Sequence, residues 1–211
     1  MASKEREYRS MMLEIREDNE ALDNMIVEGY ASTFDDPYLL YEGDDVEVWE
    51  KVDRSAFAET DMQDVIMQYD HQGRVFARIR NNTLTVSPDD TGLFIRADLS
   101  GTDIGRSLYQ EIAGGYTDRM SFGFTVDEDT REIVDDRTTG KSIVTRTITK
   151  VGKLYDVSAV SLPANPGTSI SARFLDGAIE EARAERLKAK ELEEKREQIM
   201  KRAKALGKEQ A

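Results

Sequence analysis

The sequence predicts a mainly β fold with flanking helices, a compact antiparallel β-barrel followed by a C-terminal helix. Three observations predict it. Short apolar and β-branched runs recur between turn signals, one helix-periodic segment interrupts them, and past Asp176 the text changes to Ala, Glu, Lys, Arg and Leu.

The first twenty residues are polar and predict a loose start. Met25 to Tyr30, continuing through Ala31-Ser32-Thr33-Phe34, reads as the first strand, and Val46-Glu47-Val48-Trp49 as the next. Arg54-Ser55-Ala56-Phe57 reads as a short helical turn. Strands follow at 65–71, 74–80, 83–87 and 93–99, with Asn81-Asn82 and Pro88-Asp89-Asp90-Thr91-Gly92 as turns. Ser100 or Thr102 can cap a helix in which Ile104, Leu108 and Ile112 share one face, and Gly114-Gly115 can end it. Extended chain resumes at 120–126, 131–134, 142–151 and 154–162, and Leu162-Pro163-Ala164-Asn165-Pro166-Gly167 breaks it. From Asp176 to about Ala205 the composition favours helix. Glu181 and Glu185 repel across one turn while Glu191 and Lys195 attract. Ile179, Ala182, Leu187, Leu192, Ile199 and Met200 form no clean heptad, so this segment reads as an appendage. The expected division is therefore a flexible segment 1–22, a β domain 23–175 and a charged helical tail 176–211.

The 211 residues suffice for one substantial core. No apolar stretch is long enough to span a bilayer, and the opening MASKEREYRS has no apolar centre of the signal-peptide kind, so no membrane role is expected. With no cysteine, disulfides and thiolate chemistry are excluded. A single histidine argues against a zinc site, and no cofactor or metal is expected. The formal net charge is -13, unevenly placed. Residues 176–211 hold ten Lys/Arg against nine Asp/Glu, whereas residues 1–175 hold nineteen against thirty-three. A body this acidic repels a phosphate backbone, which disfavours direct nucleic-acid binding. The same charge serves solubility or meets basic partners, and charge alone does not separate the two.

The chain offers one histidine as a base, but its many acids give dozens of candidates for an orienting carboxylate. His71 ends the run Val65-Ile66-Met67-Gln68-Tyr69-Asp70-His71. A neutral imidazole can accept a serine proton near neutral pH, and an isolated hydroxyl needs such a base to act as a nucleophile. Ser121 stands in Met120-Ser121-Phe122-Gly123-Phe124. As a strand, this segment sends Met120, Phe122, Phe124 and Val126 to the core and Ser121, Gly123 and Thr125 to the other face, with space at Gly123 for a substrate backbone. Asp156 interrupts a mostly apolar strand, Val151 to Leu162, where a carboxylate needs a partner; orienting an imidazole would supply one. Each residue has an ordinary reading beside this one. Serine is common on the polar face of a strand, His71 can bond locally within a turn Asp70-His71-Gln72-Gly73, and Asp156 can be wet at a sheet edge. Arg146 and Arg173 flank the late strand and can donate to an oxyanion, or be solvated surface residues.

Several blocks together resemble the tailed-bacteriophage prohead protease family, which is related in fold and chemistry to the herpesvirus maturation proteases. They run from Glu28-Gly29-Tyr30-Ala31-Ser32-Thr33-Phe34-Asp35, through Glu50 to Phe57, Asp70-His71 and Asp90-Thr91-Gly92-Leu93, to the serine block at 120–124. Asp156-Val157-Ser158 through Pro163-Ala164-Asn165-Pro166 closes the series, and the likeness covers roughly residues 23–175. No single block is decisive; their order and separations are. The resemblance implies a barrel of the herpesvirus-protease type, with Ser121 as nucleophile and His71 as base. Herpesvirus relatives use a second histidine in the late strand. This chain has only one, and Asp156 stands in the matching place.

The resemblance also implies a serine endopeptidase acting inside the phage prohead in the host cytoplasm, and lost or degraded on maturation. Its partners would be scaffold protein or the scaffold-like arm of the major capsid protein, and it would cleave itself as well. A homo-oligomer is implied on the same footing. The 36-residue tail would dock on scaffold or capsid arms and become an autolysis target, or be a remnant of a fused scaffold, while its nearly balanced charge also suits a merely solvated helix. Two other readings keep the shape without the chemistry: a non-catalytic assembly protein on a protease-like fold, and a binding module with a β-barrel and helical tail.

Overall fold

The fold is organised by one long hairpin. The computed structural model describes residues 6–12, 25–161 and 171–208. Its elements are β1 (Glu7–Met12), β2 (Ile26–Thr33), β3 (Tyr38–Glu42), β4 (Val46–Val52), β5 (Ile66–Tyr69), β6 (Gln72–Arg78), β7 (Leu84–Pro88) and β8 (Gly92–Asp98). Helix α1 (Asp103–Ala113), strands β9 (Arg119–Asp136) and β10 (Lys141–Val160), and helix α2 (Ser171–Lys208) complete it. Among the described residues the fold is mainly β with two α-helices, the second of them C-terminal.

Strands β9 and β10 pair antiparallel along their whole length, turning at Gly140 with φ 73°. The free side of β10 is used twice. Its first half pairs with β4 and its last with β5, both parallel. The largest sheet runs β1-β9-β10-β4-β3, with β5 and β6 joined at the far end of β10. A second sheet is β2-β8-β7. Among the described residues the pairing gives these two sheets and no closed barrel.

Alternation explains the core. Met120, Phe122, Phe124 and Val126 all point inward and are buried, as their period-two spacing predicts. Phe122 stacks on Phe124 with centroids 4.5 Å apart, and Phe57 lies 6.4 Å from Phe122. Val27, Ala31, Leu93, Ile95 and Ala97 of the second sheet join the same cluster. Helix α1 adds Leu108, Tyr109 and Ile112. Of the two expected caps Thr102 acts, accepting from the Gly105 N–H at 3.0 Å, and Gly115 takes φ 72° just past the helix end.

The elements differ from expectation in four places. Strands expected at 120–126 and 131–134 are one, as are those at 142–151 and 154–162, where register shifts between Ile148 and Asp156 carry β10 past Gly152. Strand β3 adds a partner for β4. Helix α2 begins at Ser171, ahead of Asp176, because Leu175, Ala178, Ile179 and Ala182 form one apolar stripe. That stripe packs on Leu40, Val46, Val48 and Val144, and Arg183 clamps Asp45 at 2.8 and 2.9 Å. From Arg183 to Lys201 the helix is exposed. The break at Leu162–Gly167 lies outside the described residues.

The fourth difference is at the start. Residues 7–12 are a paired strand rather than a loose segment, antiparallel to β9. What holds it is a buried ion cluster on the core face. The Arg9 guanidinium donates to Glu50 at 2.5 and 2.9 Å and to Glu7 at 2.7 Å. Arg146 donates to Glu50 at 2.8 Å, to Glu7 at 2.8 and 3.2 Å, and to Asp129 at 2.5 Å. The Tyr38 hydroxyl donates to Glu50 at 2.5 Å. Glu50 sits at a core position of the alternation Val46, Val48, Glu50, Val52 and is fully buried. Burial opposes its charge, but Arg9 and then Arg146 outweigh that, holding the carboxyl below the ordinary glutamate range.

Breaking one partner of such a cluster strands the others, so Glu50→Gln should destabilise the protein by about 3–5 kcal/mol in urea unfolding. Because the folded Glu50 titrates below its unfolded value, its contribution is present above that unfolded value. It should be lost as pH falls through the lower folded one. Urea midpoints measured below pH 4.5 should therefore fall more steeply for the wild type than for Glu50→Gln.

Candidate active site

Three adjacent strands bring the candidate residues together. Pairing of β9 with β10 sets Ser121 opposite Ser158 and Gly123 opposite Asp156. Side chains directly opposite share a face, so all four lie on the face away from the aromatic core. Parallel pairing sets Asp156 beside Ile66 and Ala159 beside Tyr69, which puts the β5–β6 turn next to this row.

That turn contains only Asp70 and His71, and both are left-handed, with φ 48° and 59°. Two left-handed residues match the twist of a two-residue hairpin, where Asn and Gly are the usual choice. A histidine held this way stores backbone strain, of order 1–2 kcal/mol. The surroundings offset it. The Asp70 N–H donates to the Ala159 carbonyl at 3.0 Å, and the Ser161 N–H and hydroxyl both donate to the Asp70 carboxylate at 3.1 Å. Below the turn, Asp64 pairs with Arg78, whose hydrogen bonds hold that carboxyl down to about 2.

His71 is in a turn, yet its bonds are not local. Nδ1 lies 2.5 Å from Asp156 Oδ1 and Nε2 lies 2.6 Å from Ser121 Oγ. A carboxylate only accepts, which puts the proton on Nδ1 and leaves Nε2 to accept from the serine hydroxyl. Ser158, also buried, donates its hydroxyl to Asp156 Oδ1 at 2.8 Å. Ser121, His71 and Asp156 are thus joined in one hydrogen-bonded series, the geometry that a nucleophile, a base and an orienting acid require.

Asp156 is entirely buried, and its Oδ2 has no hydrogen-bond partner among the described residues. The nearest cation is the Arg6 guanidinium, 3.5 Å away. Ser121 is buried as well, and the His71 side chain is 15% exposed.

Gly123 is on the site face as expected, but its space is already taken. A Cβ there would overlap Asp156 Oδ2 and come within 2.9 Å of Tyr8 Cε1. Its first role is to admit the Asp156 carboxylate into the row. Arg146 is corrected: it is neither a solvated surface residue nor aimed at Ser121, but buried with Glu7, Glu50 and Asp129. The Arg173 side chain lies outside the described residues.

The chain matches the family described as caudovirus prohead serine protease over residues 11–182. It belongs to that family. Comparison with curated proteins and with solved structures gives no match. The family places this serine-protease frame in the context of phage capsids, and among the described residues no helix is long and apolar enough to cross a membrane. Among those residues, too, no cluster of His, Asp and Glu is arranged to hold a metal ion.

Sequence reasoning passed over three residues around this candidate site: Ser158, Tyr8 and Arg6. Ser158 had a usable signal, a second polar residue at the same parity as Asp156 in an apolar strand. Tyr8 and Arg6 had none, because nothing in the polar opening marks it as a strand.

Two substitutions separate these supports. Ser158→Ala removes one hydrogen bond to a buried carboxylate and should lower hydrolysis roughly ten- to hundredfold, as a 1.5–3 kcal/mol loss implies. Gly123→Ala should push the carboxylate out of line and lower kcat about a hundredfold with the fold retained, measured by turnover beside circular dichroism.

Proposed function

We propose that the chain is a serine endopeptidase in which Ser121 is the nucleophile, His71 the general base and acid, and Asp156 the group that orients the imidazole. The observation that carries the reading is the hydrogen-bonded series Asp156–His71–Ser121, formed by residues 85 and 50 positions apart in the sequence. Bonds over such separations replace the local turn bond open to His71.

Ser121 Oγ attacks the scissile carbonyl carbon as its proton passes to His71 Nε2. Asp156 stabilises the imidazolium that results. The tetrahedral adduct collapses, the C–N bond breaks, and the amine leaves with the proton from Nε2. Water then gives a proton to Nε2 and adds to the acyl carbon, and release of the acid returns the proton to Ser121. Backbone N–H groups would stabilise the oxyanion.

The substrate is the scaffold protein or the scaffold-like arm of the major capsid protein, with self-cleavage as a further reaction. Family membership supports this setting, inside the prohead of an infected bacterium. The protease unit spans residues 23–175, and we add β1 to it because the ion cluster of Glu7 and Arg9 ties that strand to β4 and β10. The exposed run from Arg183 to Lys201 is the docking tail for scaffold or capsid arms. A barrel of the herpesvirus type and a homo-oligomer belong to the same reading. Neither metal nor organic cofactor enters the mechanism.

The burial of Ser121 favours a second reading, a non-catalytic assembly protein on the same frame. Co-expression with the neighbouring capsid or scaffold protein, beside Ser121→Ala, decides between them by product masses. Cleavage by the wild type that vanishes in Ser121→Ala is the expected result. Identical fragments from both would remove Ser121 as nucleophile, and intact partner from both, with shells assembled, would select the assembly protein.

A further inference from the structure

Strand β1 does more than close the edge of the sheet. Its two faces carry different chemistry. Glu7 and Arg9 point to the core, where they enter the buried ion cluster. Arg6 and Tyr8, at the opposite parity, reach the site face. The register sets Tyr8 opposite Gly123, the residue without a side chain. The Tyr8 ring therefore lies against the His71 imidazole, with centroids 4.3 Å apart and planes tilted by 58°. Arg6 stacks on the Tyr155 ring at 3.9 Å, and its guanidinium is 3.5 Å from Asp156 Oδ2, the buried oxygen with no hydrogen-bond partner among the described residues.

We propose that β1 and the residue just before it supply two positioning residues to the active site: Tyr8 fixes the plane of the His71 imidazole, and Arg6 balances the buried charge of Asp156. The inference rests on the reading of Ser121 and His71 as nucleophile and base. The imidazole needs such support, because it is borne on a strained left-handed turn and has solvent on one side. Its two hydrogen bonds fix the ring nitrogens but leave the ring free to tilt about the line between them. An aromatic ring packed against it, with centroids 4.3 Å apart, restricts that freedom.

The alternative role for β1 is a strap that covers Ser121 and must leave. The anchoring argues for a permanent part. Releasing β1 would strip Glu7 and Arg9 from Glu50 and Arg146, leaving buried charges without their partners.

The chain has one histidine, so the imidazole of the 15N-labelled protein gives a single set of ring resonances, all from His71. The test compares Tyr8→Ala, Tyr8→Leu and Tyr8→Phe with the wild type, by that spectrum and by hydrolysis of p-nitrophenyl acetate. Tyr8→Ala and Tyr8→Leu should broaden or move the Nδ1 proton signal and lower kcat by about tenfold or more, with little change in KM. Tyr8→Phe should restore both, since the contact is made by the ring. Tyr8→Leu keeps bulk in the strand should Tyr8→Ala fail to fold. Arg6→Gln should lower kcat by only about two- to fivefold, because the pair is partly exposed, and Arg6→Lys should recover part of it.

An unchanged His71 spectrum and unchanged kcat in Tyr8→Ala and Tyr8→Leu would overturn the proposal. So would higher activity in either, which would identify β1 as a strap. Ester hydrolysis surviving in Ser121→Ala would instead remove the reading of Ser121 on which the inference stands. An inactive Ser121→Ala beside fully active Tyr8 variants would remove the inference alone.

Discussion

The register of β9 against β10 is the constraint on which the rest depends. It sets Ser121 opposite Ser158 and Gly123 opposite Asp156, while parallel pairing of β10 with β5 carries the His71 turn to the same place. Side chains alternate with period two, so a slip of one residue would send Ser121 into the aromatic core and Phe122 out of it. Phe122 and Phe124, buried and stacked, make that slip costly. The hydrophobic core thus fixes the geometry of the polar row on the other face. Packing on one side of a strand defines hydrogen-bond distances on the other.

A second layer of constraint is electrostatic. Glu50 is fully buried at a position where its strand would otherwise carry a valine, and two guanidiniums and a tyrosine hydroxyl surround it. Clusters like this add little net stability, because desolvation cancels most of the attraction. Their value here is connection. Arg9 and Glu7 lie on β1, Glu50 on β4, Arg146 on β10 and Asp129 on β9, so one cluster ties four strands of the main sheet. Through β1 it also reaches the site, since Tyr8 follows Glu7 and faces His71.

Legibility from sequence followed the same division. Apolar periodicity was readable: the faces of β9, the stripe of α1 and its Thr102 cap follow from spacing and side-chain type. The grouping of Ser121, His71 and Asp156 was readable only through the one histidine and the order of the blocks that carry the family resemblance, because the 42 Asp and Glu residues offer many other acids. The start of the chain was not readable. Glu7 and Arg9 look like solvent-facing charges, and only their partners Glu50 and Arg146, far along the chain, make them core residues. The same blindness misplaced Arg146. Continuous β9 and β10 were hidden for another reason, since the polar middle of each strand reads as a break although its backbone ladder continues through it.

The central claim is that Ser121 is a nucleophile activated by His71 in a chain whose family is that of prohead serine proteases. Labelling with a fluorophosphonate and mapping the modified peptide by mass spectrometry tests it most directly, since this reagent needs an activated serine rather than a particular substrate. One adduct per chain is expected, on Ser121, formed far more slowly in His71→Ala and in Asp156→Asn. Labelling of another residue, or equal labelling rates in the wild type and His71→Ala, would contradict it.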